Sequence, residues 1–528
     1  MQQATANQLP DEELIARGMP IAVHARHRPD QSALIMADGS TRTWRELNAR
    51  ANQLARAFRS AGLKTGDSVA LLAHNSAEFV ETWAATQRAG LRLTPVNWHQ
   101  SPDTVAYIVD NCDARAMVAS ARFAEAAIEA ARRSDKLVLK LAFGGDIEGF
   151  SAYDDAVAAE DASDITDGEP GAYMLYTSGT TGRPKGVFRP VRPTVSQLTN
   201  KINETAGFRA GEDVAIITGP LYHAAPLALN LVTPLIAGVT CVLMDKWDAE
   251  QTLRMIETHR ATHTHVVPTM MHRMLQLPDE AKRRYDLSTM RWVLHGAAPC
   301  PAHVKQSMMD WWGPVIYEYY SSTEGGGVFV EPHDWLRKPG TVGQPVDGVE
   351  LKILDAEGAE APQGTSGTIY IKAPDTGRFE YYKDPEKTRS SYRGDYYTLG
   401  DMGYFDDEGY LFLTGRSAEL IISGGVNIYP VAIDEVIIRH PAIADAAVVG
   451  VPNEDWGEEI KAVVELKPGY EPGDELVQSI LDFAKESLPG FQRPRTIDFV
   501  EALPRSAAGK VLRQQVRDPY WKDRKRAI

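Results

Sequence analysis

Residues 176–186 read YTSGTTGRPKG and directly follow the apolar Met174 and Leu175, which are predicted to end a strand. The segment holds four serine and threonine hydroxyls, three glycines and one lysine in eleven residues. Glycine lets the backbone approach a ligand closely, and hydroxyls, backbone N–H groups and lysine all bind phosphate oxygens. A surface turn requires neither so many hydroxyls nor the lysine. The segment therefore predicts a triphosphate-binding loop made of Thr177, Ser178, Gly179, Thr180, Thr181, Gly182 and Lys185.

Strand and helix patterns alternate on both sides of this loop. Upstream, Thr43 and Glu46 have the spacing of a capping box and predict a helix over about 44–61. Further patterns indicate strands at 68–73 and 91–96, a helix from Phe79 to Gly90 and another opening at Ser101-Pro102. Downstream, candidate strands lie at 214–218, 239–244, 265–267, 292–295 and 315–319. This alternation predicts an α/β fold whose parallel-rich sheets are covered by helices.

The uncharged stretch at 224–244 is long enough to cross a bilayer. Pro226, Asn230 and Pro234 interrupt it, which favours a buried helix followed by a buried strand. We therefore predict no transmembrane segment.

The pattern changes after about residue 340 to short alternating strands with glycine turns, including the hairpin signal YFDDEGYLFL at 404–413. We expect a β-rich subdomain there and a smaller mobile α+β domain from about 416. The predicted organisation is an N-terminal domain at 1–415 and a C-terminal domain at 416–528, which we call the lid.

Composition excludes several classes of protein. The chain has 528 residues and a formal net charge of −15, which argues against nucleic acid as a partner. Its three cysteines, Cys112, Cys241 and Cys300, are odd in number and have none of the short spacings typical of a zinc site or a disulfide framework. Acidic residues at 11–13 stand where a secretory peptide would be apolar, so a cytoplasmic protein is expected.

Two further segments carry side chains suited to a nucleotide. Residues 317–327 read YEYYSSTEGGG, where an aromatic, a hydroxyl and a carboxylate arrive together after a predicted strand. Glu324 and a nearby hydroxyl such as that of Thr180 offer the oxygen ligands that Mg²⁺ prefers. HGAAP at 295–299 is small enough for its backbone to pass close to a flat ring, although a tight packing contact explains the same composition.

The string at 176–186 resembles the signature of the adenylate-forming superfamily, which includes acyl-CoA synthetases, beetle luciferases and the adenylation domains of peptide synthetases. The other motifs occur in the family order, and the resemblance extends from about residue 20 to about residue 515. It implies an AMP-forming acid-thiol ligase that uses ATP, Mg²⁺ and coenzyme A.

The resemblance also implies roles for individual residues. Gly296, Ala297 and Ala298 would lie against adenine, Tyr320 would stack on it, and Ser321 and Thr323 would contribute to the AMP site, with Thr323 at the α-phosphate. Asp401 and Arg416 would hold the ribose, and Glu324 with Thr180 would hold the metal. Lys510 ends the segment LPRSAAGK at 503–510 and matches the catalytic lysine of the family.

The acyl and thiol sites are also implied by the resemblance. GPLYHAAP at 219–226 would line the acyl pocket, with His223 at the gating position, although a core histidine explains it equally well. Tyr222, Gly325 and Gly326 would complete the pocket, and Ser423, Gly424 and Gly425 would face the CoA channel. The hinge position holds Ala418, where the family commonly has a charged residue, and Ala432 stands where a glutamate is frequent.

The substrate expected is a fatty or alicyclic apolar acid, because no aspartate accompanies 219–226 to pair the ammonium of an amino acid. One alternative is an acyl-AMP ligase that loads the thiol of a carrier protein. Another is a nucleotide-binding regulator without catalysis, against which the presence of Lys185, Glu324, Asp401 and Lys510 argues. A homodimer is left open.

Overall fold

The computed structural model describes residues 9–177, 183–190, 196–424, 426–506 and 509–522. The predicted capping box is confirmed. The Thr43 side chain accepts a hydrogen bond from the backbone N–H of Glu46, and the Glu46 side chain accepts one from the backbone N–H of Thr43. The helix spans Trp44–Ser60. The next predicted helix begins earlier than expected, at Ala77, because Ser76 caps it by accepting from the N–H of Phe79. Ser101 caps the helix Pro102–Asn111 as predicted.

The central sheet combines strands from distant parts of the chain. Its inner strands pair in parallel, and antiparallel strands lie at both edges. All five predicted downstream strands belong to it. In spatial order it contains Gln344–Pro345, Gly325–Val330, Ile316–Ser322, Trp292–His295, His263–Val266, Val214–Ile217, Thr240–Leu243, Ser32–Ile35 and Thr41–Thr43.

A second sheet carries the predicted upstream strands, and its described pairings are all parallel. Each residue of Ser68–Leu72 is buried, as expected for a strand covered on both faces. In spatial order this sheet contains Ser151–Ala152, Leu139–Phe143, Ala114–Ser120, Ser68–Leu72, Arg92–Pro95 and Ala172–Tyr173.

The β-rich region follows the central sheet. The predicted hairpin is formed by Asp401–Phe405 and Leu411–Arg416. Its sheet also contains Tyr392–Arg393, Tyr396–Tyr397, Gly367–Lys372 and Leu351–Leu354. A small antiparallel sheet of Leu175–Thr177, Lys185–Phe188 and Glu380–Tyr381 flanks the predicted phosphate loop.

The lid has a sheet of its own, made of Val426–Ile428, Ile421–Ser423, Gly457–Leu466, Ile443–Asn453 and Thr496–Val500. The last strand of the preceding sheet ends at Arg416, and the exact start of the lid at 416 stays a prediction.

Helices cover the sheets, which confirms the α/β class. The α-helices span Asp11–Ala16, Pro20–His27, Trp44–Ser60, Ala77–Arg88, Pro102–Asn111, Ala124–Arg133, Tyr153–Ala158, Gln197–Ala206, Thr233–Ile236, Ala249–His259, Pro268–Leu275, Asp279–Arg284, Ala302–Trp312, Pro332–Arg337, Pro385–Ser391, Pro430–Ile437, Asp474–Ser487 and Arg513–Arg517. The uncharged stretch forms the π-helix Pro226–Val232, a short α-helix and the strand Thr240–Leu243. Within the described ranges, no helix has both the length and the apolar character needed to span a bilayer.

Two histidines are buried in the strand His263–Val266: His263 is 1% exposed and His265 is 2% exposed. Burial lowers the pKa of His263 to about 4 and that of His265 to about 3. The unfolded chain therefore binds more protons than the folded chain below the ordinary value of 6.5, so stability is lost as the pH falls from there toward the folded values.

Replacing His265 with glutamine is expected to weaken this acid sensitivity, because glutamine does not titrate in this range. Between pH 7 and pH 4.5, we expect the melting temperature of His265→Gln to fall by about 2–4 °C less than that of the wild type. Differential scanning calorimetry at the two pH values measures the difference. His333→Gln, at an exposed position, should follow the wild type. An equal fall in His265→Gln and wild type would contradict the assignment.

Candidate active site

A cleft of about 2100 Å³ lies where the parallel strands of the central sheet end. Residues that follow the carboxyl ends of three of these strands line it: His223, Val267 and Ala297. Lys510 of the lid lines the same cleft. This is the edge at which open α/β sheets bind ligands.

The two strands that flank the predicted phosphate loop reach the cleft. Thr177 and Lys185 are paired neighbours in these strands, and both line the cleft. The Nζ atom of Lys185 lies 3.8 Å from Asp384 Oδ2 and 5.8 Å from the centre of the Tyr381 ring. The other predicted loop residues, Ser178, Gly179, Thr180, Thr181 and Gly182, lie outside the described residues.

Thr323 and Glu324 form the turn between the strands Ile316–Ser322 and Gly325–Val330, and both line the cleft. The hydroxyl of Tyr381 donates to Glu324 Oε1 at 2.8 Å. Arg189 donates to the carbonyl oxygens of Thr323 at 3.2 Å and Glu324 at 2.7 Å, and burial lowers its pKa. The sequence interpretation missed both Arg189 and Tyr381; the only available signal was that Arg189 lies four residues after Lys185.

Asp401 joins two of the other predicted nucleotide residues. Its Oδ2 atom accepts from the Tyr320 hydroxyl at 2.9 Å, and its Oδ1 atom accepts from Arg416 Nε at 2.8 Å. Asp401 and Arg416 are cross-strand neighbours in the predicted hairpin, which explains their contact. Of the three, Arg416 is the residue that lines the cleft.

The HGAAP segment packs closely against the neighbouring strand. A Cβ atom on Gly296 would lie 2.6 Å from Tyr319 Cε1 and 2.7 Å from the Tyr319 carbonyl oxygen, so only glycine fits there. Ala297 has a φ of +67°, an unusual backbone conformation for a residue with a side chain, and it lines the cleft. Gly296 and Ala298 do not line it. The tight packing contact that the sequence left open is therefore present at Gly296.

The predicted acyl pocket residues, Tyr222, His223, Gly325 and Gly326, lie in the same cleft, as does Ser321, which was predicted for the AMP site. The hydroxyl of Ser321 donates to the carbonyl oxygens of Gly325 at 3.1 Å and Gly326 at 3.4 Å. Burial lowers the pKa of His223 to about 4, so its ring is neutral near pH 7. Among the described residues, neither Tyr222 OH nor His223 Nε2 has a hydrogen-bond partner.

Lys510 is largely buried beside the ribose-side residues. Burial lowers its pKa, and the positive charge of Arg416 lowers it further. The backbone N–H of Lys510 donates to Ser506 Oγ at 3.2 Å, and its carbonyl oxygen accepts from the N–H of Ser506 at 2.8 Å. These bonds tie the backbone of Lys510 to Ser506.

Comparison with known proteins identifies the family of this chain. Residues 21–382 match the family described as AMP-binding enzyme, and residues 432–510 match the AMP-binding enzyme C-terminal domain. This chain belongs to the AMP-binding enzyme family.

Similar proteins align with nearly the whole chain. It is 31% identical to a fatty acid–acyl-carrier-protein ligase of Streptomyces coeruleorubidus over 96% of each chain. It is 31% identical to a feruloyl-CoA synthase of an Amycolatopsis species, over 93% of this chain and 96% of that one. The crystal structure of an anthranilate CoA ligase in complex with anthranoyl-AMP matches with a TM-score of 0.86 and 26% identity, covering 97% of this chain and 99% of that one.

The predicted hinge residue lies in the cleft, and the described residues predicted for the CoA channel do not. Ala418 lines it, whereas Ser423 and Gly424 do not. Gly424 donates its N–H to the Trp456 carbonyl oxygen at 2.8 Å, and Gly425 lies outside the described residues. Ala418 has no charge, but the next residue, Glu419, is charged and accepts a hydrogen bond from Arg513 Nε at 3.1 Å.

The carboxylate of Glu324 fits a magnesium ion. Tyr381 occupies only Oε1 of Glu324, and a carboxylate has a second oxygen that can bind a metal. Among the residues described, no cluster of three or more His, Cys, Asp or Glu side chains could hold a metal by itself. Mg²⁺ that is bound mainly by substrate phosphates needs only one or two protein carboxylates, so Glu324 suffices.

Proposed function

We propose that the chain is an ATP-dependent acid:CoA ligase that forms an acyl-adenylate and pyrophosphate, and then acyl-CoA and AMP. The observation that carries the proposal is the convergence of Lys185, Glu324 and Lys510 on one cleft. These residues come from three distant parts of the chain. Cations and a metal-binding carboxylate around one cavity suit the chemistry of a nucleoside triphosphate.

In the first half-reaction, a carboxylate oxygen of the substrate attacks the α-phosphorus of ATP, and the bond to the bridging oxygen of pyrophosphate breaks. The substrate acid is already ionised near pH 7, so no general base is needed. Lys185 would bind the β- and γ-phosphates, and Lys510 would neutralise charge on the α-phosphate and the carboxylate. Mg²⁺, held by Glu324 and phosphate oxygens, would supply further positive charge to the triphosphate.

The remaining nucleotide residues would bind and orient AMP. Asp401 would accept hydrogen bonds from the ribose hydroxyls, with Tyr320 and Arg416 fixing its two oxygens. Ala297 would lie at the edge of the adenine ring. Such positioning is the main source of catalysis in phosphoryl transfer, because the protein performs little covalent chemistry.

In the second half-reaction, the sulfur of the CoA thiol attacks the carbonyl carbon of the acyl-adenylate, the thiol proton is lost, and the bond to AMP breaks. We infer that the lid rotates about Ala418, so that Lys510 leaves the cleft and Ser423 and Gly424 approach the thiol. His223 would act as the gate between the acyl pocket and the channel.

An apolar acid is the substrate class that the cleft supports best. Apolar side chains, including Leu198, Leu229 and Met270, line part of the cleft together with the glycines at 325 and 326. Three relatives are named for fatty, ferulic and anthranilic acids, in which most of the carbon skeleton is apolar. An acyl chain or ring would gain about 25 cal/mol for each Å² of apolar surface buried there.

A carrier-protein thiol is the second candidate acceptor, because one relative that matches over 96% of the chain is named as an acyl-carrier-protein ligase. The two acceptors share the first half-reaction and differ only in what delivers the thiol. The cytoplasm is the expected location, and a homodimer stays open.

Pyrophosphate release tests the proposed function. Purified protein with ATP and Mg²⁺ should release pyrophosphate in the presence of apolar aliphatic, alicyclic or aromatic acids and not with amino acids. Mass spectrometry should then detect acyl-CoA when CoA is the only thiol. Adenylate formation without thioester would favour the carrier protein, and the absence of pyrophosphate with every acid would contradict the proposal.

A further inference from the structure

One helix of the N-terminal domain contacts both the cleft and the lid. The helix Pro268–Leu275 follows the strand His263–Val266, and Met270 lines the cleft. Thr269 and His272, one turn apart on this helix, contact the lid instead. The hydroxyl of Thr269 donates to the Gly509 carbonyl oxygen at 3.1 Å. The Nε2 atom of His272 lies 2.7 Å from the Ala444 carbonyl oxygen and 2.9 Å from the Gln276 side-chain nitrogen. Because a carbonyl can only accept, the bond to Ala444 requires a form of the ring that carries a hydrogen on Nε2.

The two carbonyl groups adjoin one ionic cluster of the lid. Arg505 donates to the Gly509 carbonyl oxygen at 3.3 Å, forms an ion pair with Asp445, and lies 3.2 Å from Glu465. Ala444 directly precedes Asp445, and Gly509 directly precedes Lys510. Arg505 therefore connects the two acceptors through contacts that lie within the lid: it bonds Gly509 directly and pairs with the residue after Ala444.

We propose that Thr269 and His272 are positioning residues that hold the lid in the arrangement in which Lys510 reaches the nucleotide. We call the pair the latch. The inference rests on the proposed function, because it assigns the latch to the adenylate-forming half-reaction only. Neither residue touches the reacting atoms in this role.

The latch adds contacts across the two domains that do not depend on the charge of Lys510. Burial and the positive charge of Arg416 lower the pKa of Lys510, and the carboxylates of Glu419 and Asp401 offset this only in part. Two hydrogen bonds formed only when the lid is closed shift the population toward that state.

The latch is also weak enough to open in each catalytic cycle. A hydroxyl, an imidazole and two carbonyl groups all find water when the lid leaves, so each bond contributes only its net difference from hydration. Neither contact contains an ion pair, and no buried charge is left without a partner when they separate. The geometry suits a contact that forms and breaks repeatedly.

The two half-reactions, measured separately, test the latch. Thr269→Val keeps the shape of the side chain and removes its donor, and we expect adenylate formation to fall about five- to tenfold. In the double variant Thr269→Val/His272→Ala, we expect a fall of about thirtyfold or more, if the two bonds act independently. Thioester formation from supplied acyl-adenylate and CoA should stay within about twofold of the wild type, because the lid has left the latch in that step.

Two variants serve as controls. Thr269→Ser keeps the hydroxyl and should restore adenylate formation to near the wild-type rate. Arg273→Ala changes an exposed residue on the same helix and should leave both half-reactions unchanged. If Thr269→Val lowered both half-reactions equally, or left adenylate formation unaltered, the latch would be wrong.

Hydrogen exchange gives a readout that does not require activity. The Lys510 amide, bonded to Ser506, should exchange faster in the double variant than in the wild type, while the melting temperature stays unchanged. If the Lys510 amide exchanged equally fast in the double variant and the wild type, the latch would be wrong, whatever the activity measurements show. The absence of pyrophosphate release with every acid would instead contradict the proposed function.

Discussion

Replacing Lys510 with alanine is expected to lower the rate of adenylate formation by about 10²–10³-fold, because a preorganised positive group at the developing charge is lost. Thioester formation from supplied acyl-adenylate should remain close to the wild-type rate, since the lysine acts in one half-reaction only. Pyrophosphate release at saturating ATP and acid measures the first step, and acyl-CoA formation from synthetic acyl-adenylate measures the second.

A lysine-to-arginine variant and the pH dependence separate charge from structure. Lys510→Arg keeps the positive charge and should recover part of the lost rate. Because the pKa of Lys510 is lowered from its ordinary value of 10.5, the charged form is lost as the pH rises through a value below 10.5. The alkaline limb of adenylate formation should therefore begin nearer neutrality than for an exposed lysine. Pyrophosphate release by Lys510→Ala at the wild-type rate would refute the role.

Replacing Asp401 with alanine is expected to raise the KM for ATP by about 30- to 100-fold, because a hydrogen-bonded charged partner of the nucleotide is removed. The change also leaves the Tyr320 hydroxyl and Arg416 without the carboxylate that each of them contacts. The positive charge of Arg416, no longer balanced by Asp401, would then act more strongly on Lys510. Initial rates of pyrophosphate release over a range of ATP concentrations give the KM.

Tyr320→Phe is the matched control, because it removes one hydrogen bond to Asp401 and keeps the carboxylate and the ring. Its KM for ATP should rise only about threefold to tenfold. An unchanged KM in Asp401→Ala would exclude this residue from the nucleotide site.

Local signals in the sequence predicted much of the fold. The capping box at Thr43 and Glu46 depends on residues three apart, and the helix begins where it indicates. The start at Ala77 was missed because its signal was the single capping side chain of Ser76, which precedes the apolar pattern. The uncharged stretch was expected to contain an ordinary helix and contains the π-helix Pro226–Val232, a distinction that apolar periodicity does not make.

The parts of the site that escaped prediction depend on residues far apart in the sequence. Tyr381 reaches Glu324 across 57 positions, and Thr269 reaches Gly509 across 240. No periodicity or motif encodes such pairs, because they are set by how separate elements pack. The phosphate loop was predicted from its hydroxyls, glycines and lysine, and the roles of the other motif residues came mainly from the family resemblance. These individual roles stay predictions.

The strand Lys185–Phe188 lies between Leu175–Thr177, just before it in the chain, and Glu380–Tyr381, about two hundred residues later. On the ribosome, the first of these pairings can form early, whereas the second must wait until residue 381 has left the exit tunnel. A nascent chain shorter than this lacks Tyr381 and hence its contact with Glu324. Affinity for nucleotide should therefore arise late in synthesis, after most of the N-terminal domain has been translated.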